Sequence, residues 1–172
     1  GLVKRVAGLD AARKGMPRFA RGSNRRKVAA DLATKDATGK PVLLWVDSFS
    51  DAFESDAVAA MAAVLIEAGY APRMAERKAC CGLTWISTGQ LDGARREIVG
   101  ALDVLHPYVA QGIPIVGTEP SCLAVWKSDA AELVPEDPRV GEVAAAVMTL
   151  AEFLAHDPTF EVPDLSGHTI VA

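Results

Sequence analysis

The chain has 172 residues, 50% of them apolar and 23% charged, with a net charge of −4 at neutral pH. That length suits one domain, for which about 100–200 residues is usual, and the apolar content is enough to bury a core and exclude a disordered chain. No apolar run approaches the roughly 18 consecutive residues of a membrane span, and Lys4, Arg5 and Asp10 interrupt the start where a secretory signal needs a continuous apolar segment.

Charge is unevenly distributed. Residues 1–40 carry 11 Lys/Arg against 3 Asp/Glu, whereas residues 41–172 carry 7 against 19. A basic segment can bind nucleic acid, but this one has Phe19 as its only aromatic residue and no recognition motif follows it. It reads as a solvated leader facing acidic neighbours, with no nucleic-acid partner. Within it, Leu2, Val6 and Leu9 predict a short helix over 1–15, ended by Gly15-Met16-Pro17. Residues 18–35 are basic and weakly helical, and a turn-rich linker follows over 36–41.

Val42-Leu43-Leu44-Trp45-Val46 is an apolar run bounded by turn residues, the pattern of a strand buried on both faces. Asp47-Ser48-Phe49-Ser50 is then expected as a loop. Phe53, Ala57, Ala60, Met61, Val64, Leu65 and Ala68 predict an amphipathic helix over 53–68, capped by Gly69. A weaker strand is expected over 70–76, followed by the Cys80-Cys81-Gly82 loop. Leu91, Ala94, Ile98, Leu102, Leu105 and Val109 stripe a long helix that Gly112 stops. Ile113 to Gly117 reads as a strand that is either an edge or begins only at Pro114. Helices are expected over 121–134 and 139–156, and a last strand over 169–171. The alternation predicts an α/β fold: a doubly wound, mostly parallel sheet of about four strands in the order 2-1-3-4, flanked by helices and preceded by the basic helical leader.

The three cysteines, Cys80, Cys81 and Cys122, all follow predicted strands. Open α/β sheets place their chemistry at the carboxyl ends of the strands, and strand 1, lying between the other two, brings Asp47 and Ser48 to the same rim. An odd cysteine count fits a reducing, cytoplasmic setting and a metal or redox role better than secreted cross-links. Adjacent thiolates suit one soft metal centre, with Gly82 permitting a tight backbone turn. A cubane cluster commonly takes four thiolates, so Asp47, Ser48, Glu119 or a water is the expected source of a further, harder ligand. The alternatives are small buried hydrophobes or a vicinal disulfide. His106, His156 and His168 read as structural, as do Trp45, Trp85 and Trp126. No Gly-x-Ser-x-Gly elbow and no dinucleotide fingerprint occurs.

From about Val42 to Phe153 the chain resembles the cysteine-rich CCG domain family, whose members include the cysteine-rich subunits of heterodisulfide reductase and of anaerobic glycerol-3-phosphate dehydrogenase, and the iron–sulfur portion of glycolate oxidase. The family pattern is a Cys, a long spacer, Cys-Cys-Gly, a second long spacer and Cys-x-x-Cys. Cys80-Cys81-Gly82 and Cys122 match it, Ser48 stands where the first Cys is expected, and Glu119 stands where the Cys-x-x-Cys pair begins. Val46-Asp47-Ser48-Phe49, Glu119-Pro120-Ser121-Cys122 and Pro17-Arg18-Phe19-Ala20 look closest to long flavoproteins similar to D-lactate and D-2-hydroxyglutarate dehydrogenases. There an FAD-linked oxidase, a ferredoxin-like segment and a CCG portion share one chain.

The resemblance implies that Cys80, Cys81 and Cys122 bind an iron–sulfur cluster, and that FAD belongs to the parent protein alone. The partners it implies are the parent's FAD and ferredoxin-like domains and a second CCG module. The expected organisation is a leader over 1–40, a module over 41–167, and residues 168–172 as the first strand of a truncated second module. That strand is expected beside Ile113–Val116, and the edge it exposes would favour self-association. The competing expectation is a metal-free structural or docking module that keeps the fold.

Overall fold

The computed structural model describes residues 8, 18–35, 38–53, 56–164 and 166–167. Its centre is β1 (Lys40–Trp45), in which Val42, Leu43, Leu44 and Trp45 are each at most 2% exposed. A strand this apolar must be covered on both faces. It pairs in parallel with β2 (Tyr70–Met74) on one side and with β3 (Ile115–Gly117) on the other, and β3 pairs in parallel with β4 (Val147–Met148). The order β2-β1-β3-β4 is the doubly wound parallel arrangement expected from the pattern, with Val147–Met148 in the fourth place where residues 169–171 were expected.

Alternation along β1 divides the core. Leu43 and Trp45 face a cluster that includes Ile98, Leu102 and Leu105 of α5 (Leu91–Val109), Leu123 and Trp126 of α6 (Pro120–Lys127), and Val140 and Val143 of α8 (Arg139–Ala146). Val42, Leu44 and Val46 face the other cluster. It holds Val28 of α1 (Asn24–Leu32), Val58 and Leu65 of α3 (Ala57–Glu67), and Phe153 of α9 (Leu150–Ala155). The remaining helices are short: α2 (Ser48–Ala52), α4 (Leu83–Ser87) and α7 (Asp129–Leu133). Among the described residues no helix is long and apolar enough to cross a membrane.

Four expectations need correction. The Asp47–Ser50 loop is the start of α2, because Asp47 caps it. The helix expected over 53–68 begins at Ala57 and buries Val58, Ala62 and Leu65 instead of Ala57, Ala60 and Val64. Its sequence, AVAAMAAVLIE, is apolar all round, so periodicity does not select a face. The helix over 121–134 breaks at Ser128. The one over 139–156 is interrupted by β4, after which Thr149 and Glu152 form a reciprocal capping box that starts α9.

The helix expected over 1–15 falls, apart from Gly8, outside the described residues, as does the strand at 168–172. The place foreseen for that strand is already filled, since β3 has β1 on one side and β4 on the other. Among the described residues the sheet ends at β4, two residues long, and at β2, which carries Pro72. Short strands and proline both blunt edge pairing.

A hydrogen bond ties the segment after α9 to the start of β2: the Tyr70 hydroxyl donates to Asp157 Oδ2 at 2.5 Å. Burial, and then the Asp157 carboxylate, push the phenol from 10.0 up to about 12. The bond from Tyr70, and those from Thr159, hold Asp157 down from 3.8 to about 2. The stabilisation is therefore complete between the two ordinary values. It is lost as pH falls through the lowered carboxylate value, and lost again as pH rises through the raised phenol value. Melting temperature measured against pH should fall less steeply at both extremes in a Tyr70→Phe variant than in the wild type.

Candidate functional site

Three loops reach the carboxyl edge of the sheet, and each is held there by identifiable bonds. After β1, the Asp47 Oδ1 atom accepts from the Phe49 and Ser50 amides at 2.7 and 3.1 Å, capping α2. After β2, the chain is pinned where the buried Trp45 indole donates to the Ala79 carbonyl at 2.9 Å. Gly82 then turns with φ +79, and a Cβ there would lie 3.2 Å from the Ala94 carbonyl oxygen of α5. Only glycine adopts that conformation without strain, so the Cys-Cys-Gly turn is seated directly on α5. After β3, Glu119 caps α6 by accepting from the Cys122 amide at 2.9 Å, with Pro120 at the first helical position.

Between these loops lies a cavity of about 410 Å³ whose lining includes Ser48, Cys80, Cys81 and Cys122. Cys81 and Cys122 are 2% and 3% exposed, while Cys80 is half-buried. Cys80 interacts with Ser48 and Cys81, and Cys81 in turn with Cys122. The Gly82 amide is directed at the Cys80 sulfur and the Leu83 amide at that of Cys81. All three cysteines are free thiols, so the vicinal disulfide is not formed.

The hydrogen bond to Cys81 and then burial raise the Cys80 pKa well above the ordinary thiol range, against the Gly82 amide and the Ser48 hydroxyl, which favour the thiolate. Cys81 is pushed up to about 12, chiefly by its hydrogen bond to Cys122, with burial adding to it. Both are therefore protonated at neutral pH. Any metal they bind must displace those protons, which makes affinity rise with pH.

Asp47 and Glu119, expected as possible hard ligands, do not offer their carboxylates to the cavity. Asp47 is 2% exposed, and its second oxygen accepts from the Thr118 hydroxyl at 2.8 Å, bracing the β1 loop to the β3 loop. The second Glu119 oxygen accepts from Ser121 at 3.1 Å. Helix capping and ligation compete for the same lone pairs, and capping holds them here. The histidines are engaged elsewhere: His106 with Glu142 at 2.9 Å, and His156 with the Glu152 carbonyl at 2.6 Å. His168 lies outside the described residues. Trp45 and Trp126 are core residues, whereas Trp85 lines the cavity and packs over Gly93, where a Cβ would lie 2.4 Å from its ring.

Sequence reasoning missed Asp51, 4% exposed, which lies behind the cavity lining and pairs with its Lys78. Its Oδ1 accepts from the Ser23 hydroxyl at 2.6 Å and the Arg25 amide at 2.9 Å, and Oδ2 pairs with Lys78 at 3.1 Å. The Asn24 amide group adds bonds to the Ser50 and Phe53 carbonyls, both at 2.8 Å. The start of α1 thus clamps both the Ser48 helix and the segment leading to Cys80. These partners are too far apart in sequence for any local motif to announce them. Burial raises the Asp51 pKa, but the bonds from Ser23, Arg25 and Lys78 outweigh it and leave the carboxyl below its ordinary value. An Asp51→Ala variant should lose about 1.5–3 kcal/mol in denaturant unfolding, the range for hydrogen bonds to a charged group. The difference should shrink as pH falls through the lowered carboxyl value.

Lys78, Phe49 and Glu97 also line the cavity. Phe49 stacks on Phe53 at 6.0 Å, and Phe53 on Phe19 at 5.1 Å, so an aromatic row runs outward from the mouth. Among the described residues no set of three or more His, Cys, Asp or Glu side chains is gathered as it must be to hold a bare metal ion. Set against known protein families, curated proteins and solved structures, the chain finds no match in any of the three comparisons.

Proposed function

We propose that this chain is a redox module of the CCG type, in which Cys80, Cys81 and Cys122 supply thiolates to an iron–sulfur centre and the Ser48 hydroxyl serves as the fourth donor. The observation that carries the reading is the meeting of these four side chains, from three sequence-distant segments, in one cavity at the carboxyl edge of the sheet. Their chemistry fits the group: three soft sulfurs select iron–sulfur clusters, zinc or copper(I) over hard cations. The amides of Gly82 and Leu83, directed at Cys80 and Cys81, favour the charged form of each ligand. When bound, such a centre supplies single-electron transfer, and replacing one thiolate by an oxygen donor alters its potential. The parent activity that this reading implies is a flavin-dependent oxidation of a 2-hydroxy acid, with FAD and the ferredoxin-like cysteines on other parts of the parent protein.

A metal-free structural or docking module is the second reading. It is favoured by the thiol-to-thiol hydrogen bonds and by the lack of a preassembled ion site among the described residues. Anaerobic reconstitution with ferrous iron and sulfide separates the two. Iron and acid-labile sulfide that stay with the protein through desalting, with the visible absorption of a cluster, support the redox module. Protein that emerges colourless and iron-free supports the second reading.

A further inference from the structure

The thiol cavity is bordered by a surface that the thiols do not account for. Residues 18–27 hold five Lys/Arg and no Asp/Glu. Backbone pairing fixes this segment beside α2: Phe19 bridges Phe53, and the Ala20 amide donates to the Ala52 carbonyl at 2.8 Å. Arg25 then reaches the Ala75 carbonyl at 2.7 Å, so the basic segment joins the stretch that carries Arg77 and Lys78. Against these stand exposed Asp56 and Glu76 and half-buried Glu97, while Asp51 is buried.

Phenylalanine accompanies the charge. Phe19 is 76% exposed, and Phe49, which lines the cavity, is 45% exposed. An exposed apolar patch rimmed by polar residues marks an interaction surface, and aromatic rings with arginine are the side chains enriched where proteins meet. We propose that this face docks an acidic segment of a partner protein that also presents aromatic side chains, laid over the mouth of the thiol cavity.

Charge complementarity and the aromatic row together choose that occupant. The cations sit on a fixed frame, because Asp51 ties Ser23, the Arg25 amide and Lys78 to one point. Incoming rings extend the stack of Phe49, Phe53 and Phe19, whose neighbouring planes lie 15° and 22° from parallel. A phosphate surface, whether bilayer or nucleic acid, is negative throughout and would be repelled by Asp56, Glu76 and Glu97. A protein segment can set its carboxylates against the arginines and a neutral or basic residue against those three.

The test titrates the full chain, isotopically labelled and free of iron, with a glutamate–tyrosine copolymer and with polyglutamate of equal charge. The copolymer should bind about fivefold more tightly, as one added aromatic pair supplies. It should shift the amide resonances of Phe19, Phe49 and Lys78, and its affinity should fall as salt is raised. Phe19→Ala should erase the preference for the copolymer, and Arg21→Glu combined with Arg77→Glu should weaken both polymers about three- to tenfold. Vesicles of phosphatidylcholine and phosphatidylglycerol in equal parts, and single-stranded oligothymidylate, serve as the phosphate surfaces. Tighter binding to either of these than to the copolymer, equal binding of the two polymers, or resonances of Phe19 and Phe49 that stay in place would overturn the proposal. With no iron present, none of these results bears on the iron–sulfur reading.

Discussion

Replacing Cys81 by alanine is expected to abolish iron retention after anaerobic reconstitution, while replacing His106 by alanine leaves it at the wild-type level. Cys81 lines the cavity with Cys80 and Cys122 and interacts with both. Its removal leaves two soft donors, too few to hold an iron–sulfur centre. His106 instead faces Glu142 on the outer helices and does not line the cavity. Iron bound per chain, measured by plasma emission spectroscopy after desalting, checks both variants together. Equal iron in wild type and Cys81→Ala would show that the cysteines are packing residues. The remaining side chains of the site suggest a gain-of-function companion. Ser48→Cys would offer a fourth sulfur beside Cys80 and should slow loss of iron to a chelator.

The second large effect concerns stability. Trp126→Ala should lower the unfolding free energy by about 3–5 kcal/mol, the usual cost of deleting a fully buried aromatic side chain. Trp126 is 1% exposed and meets the Trp45 ring edge-on, with centroids 6.2 Å apart. Among the described residues its indole nitrogen has no hydrogen-bond partner, so the loss is one of packing rather than of a polar contact. The consequence reaches the thiols from two directions. Trp126 lies one turn beyond Cys122 on α6, and Trp45 holds the Ala79 carbonyl immediately before Cys80. Urea unfolding gives the energy. A loss below about 1 kcal/mol would mean that the cavity collapses readily and that the two tryptophans do not clamp the site.

How far the residues alone could be read depends on which forces are local. The strand at Val42–Val46 and the stripe Ala94, Ile98, Leu102 and Leu105 were legible because burial imposes a period on the sequence. Given right-handed crossovers, those elements also led to the order of the first three strands, 2-1-3, and to the meeting of Cys80, Cys81 and Cys122 at one cavity. The two-residue strand β4 was not legible by period, since Val147-Met148 lies inside an apolar window. The spacing of Thr149 and Glu152, three residues apart as in a capping box, was the available signal that a new helix starts there. Glu119 followed by Pro120 was a similar signal of a helix start, and it explains why Glu119 caps instead of ligating. Asp51 left no trace at all, because its three partners come from a helix 26 residues upstream and a loop beyond β2.

X-ray absorption at the iron edge of the anaerobically reconstituted chain tests the shared thiolate site most directly. The expected result is a first shell dominated by sulfur, at about the 2.3 Å of metal–thiolate bonds, and its loss in Cys81→Ala. A first shell of nitrogen and oxygen alone, at about 2.0–2.2 Å, or a sulfur shell unchanged in Cys81→Ala, would contradict the shared site.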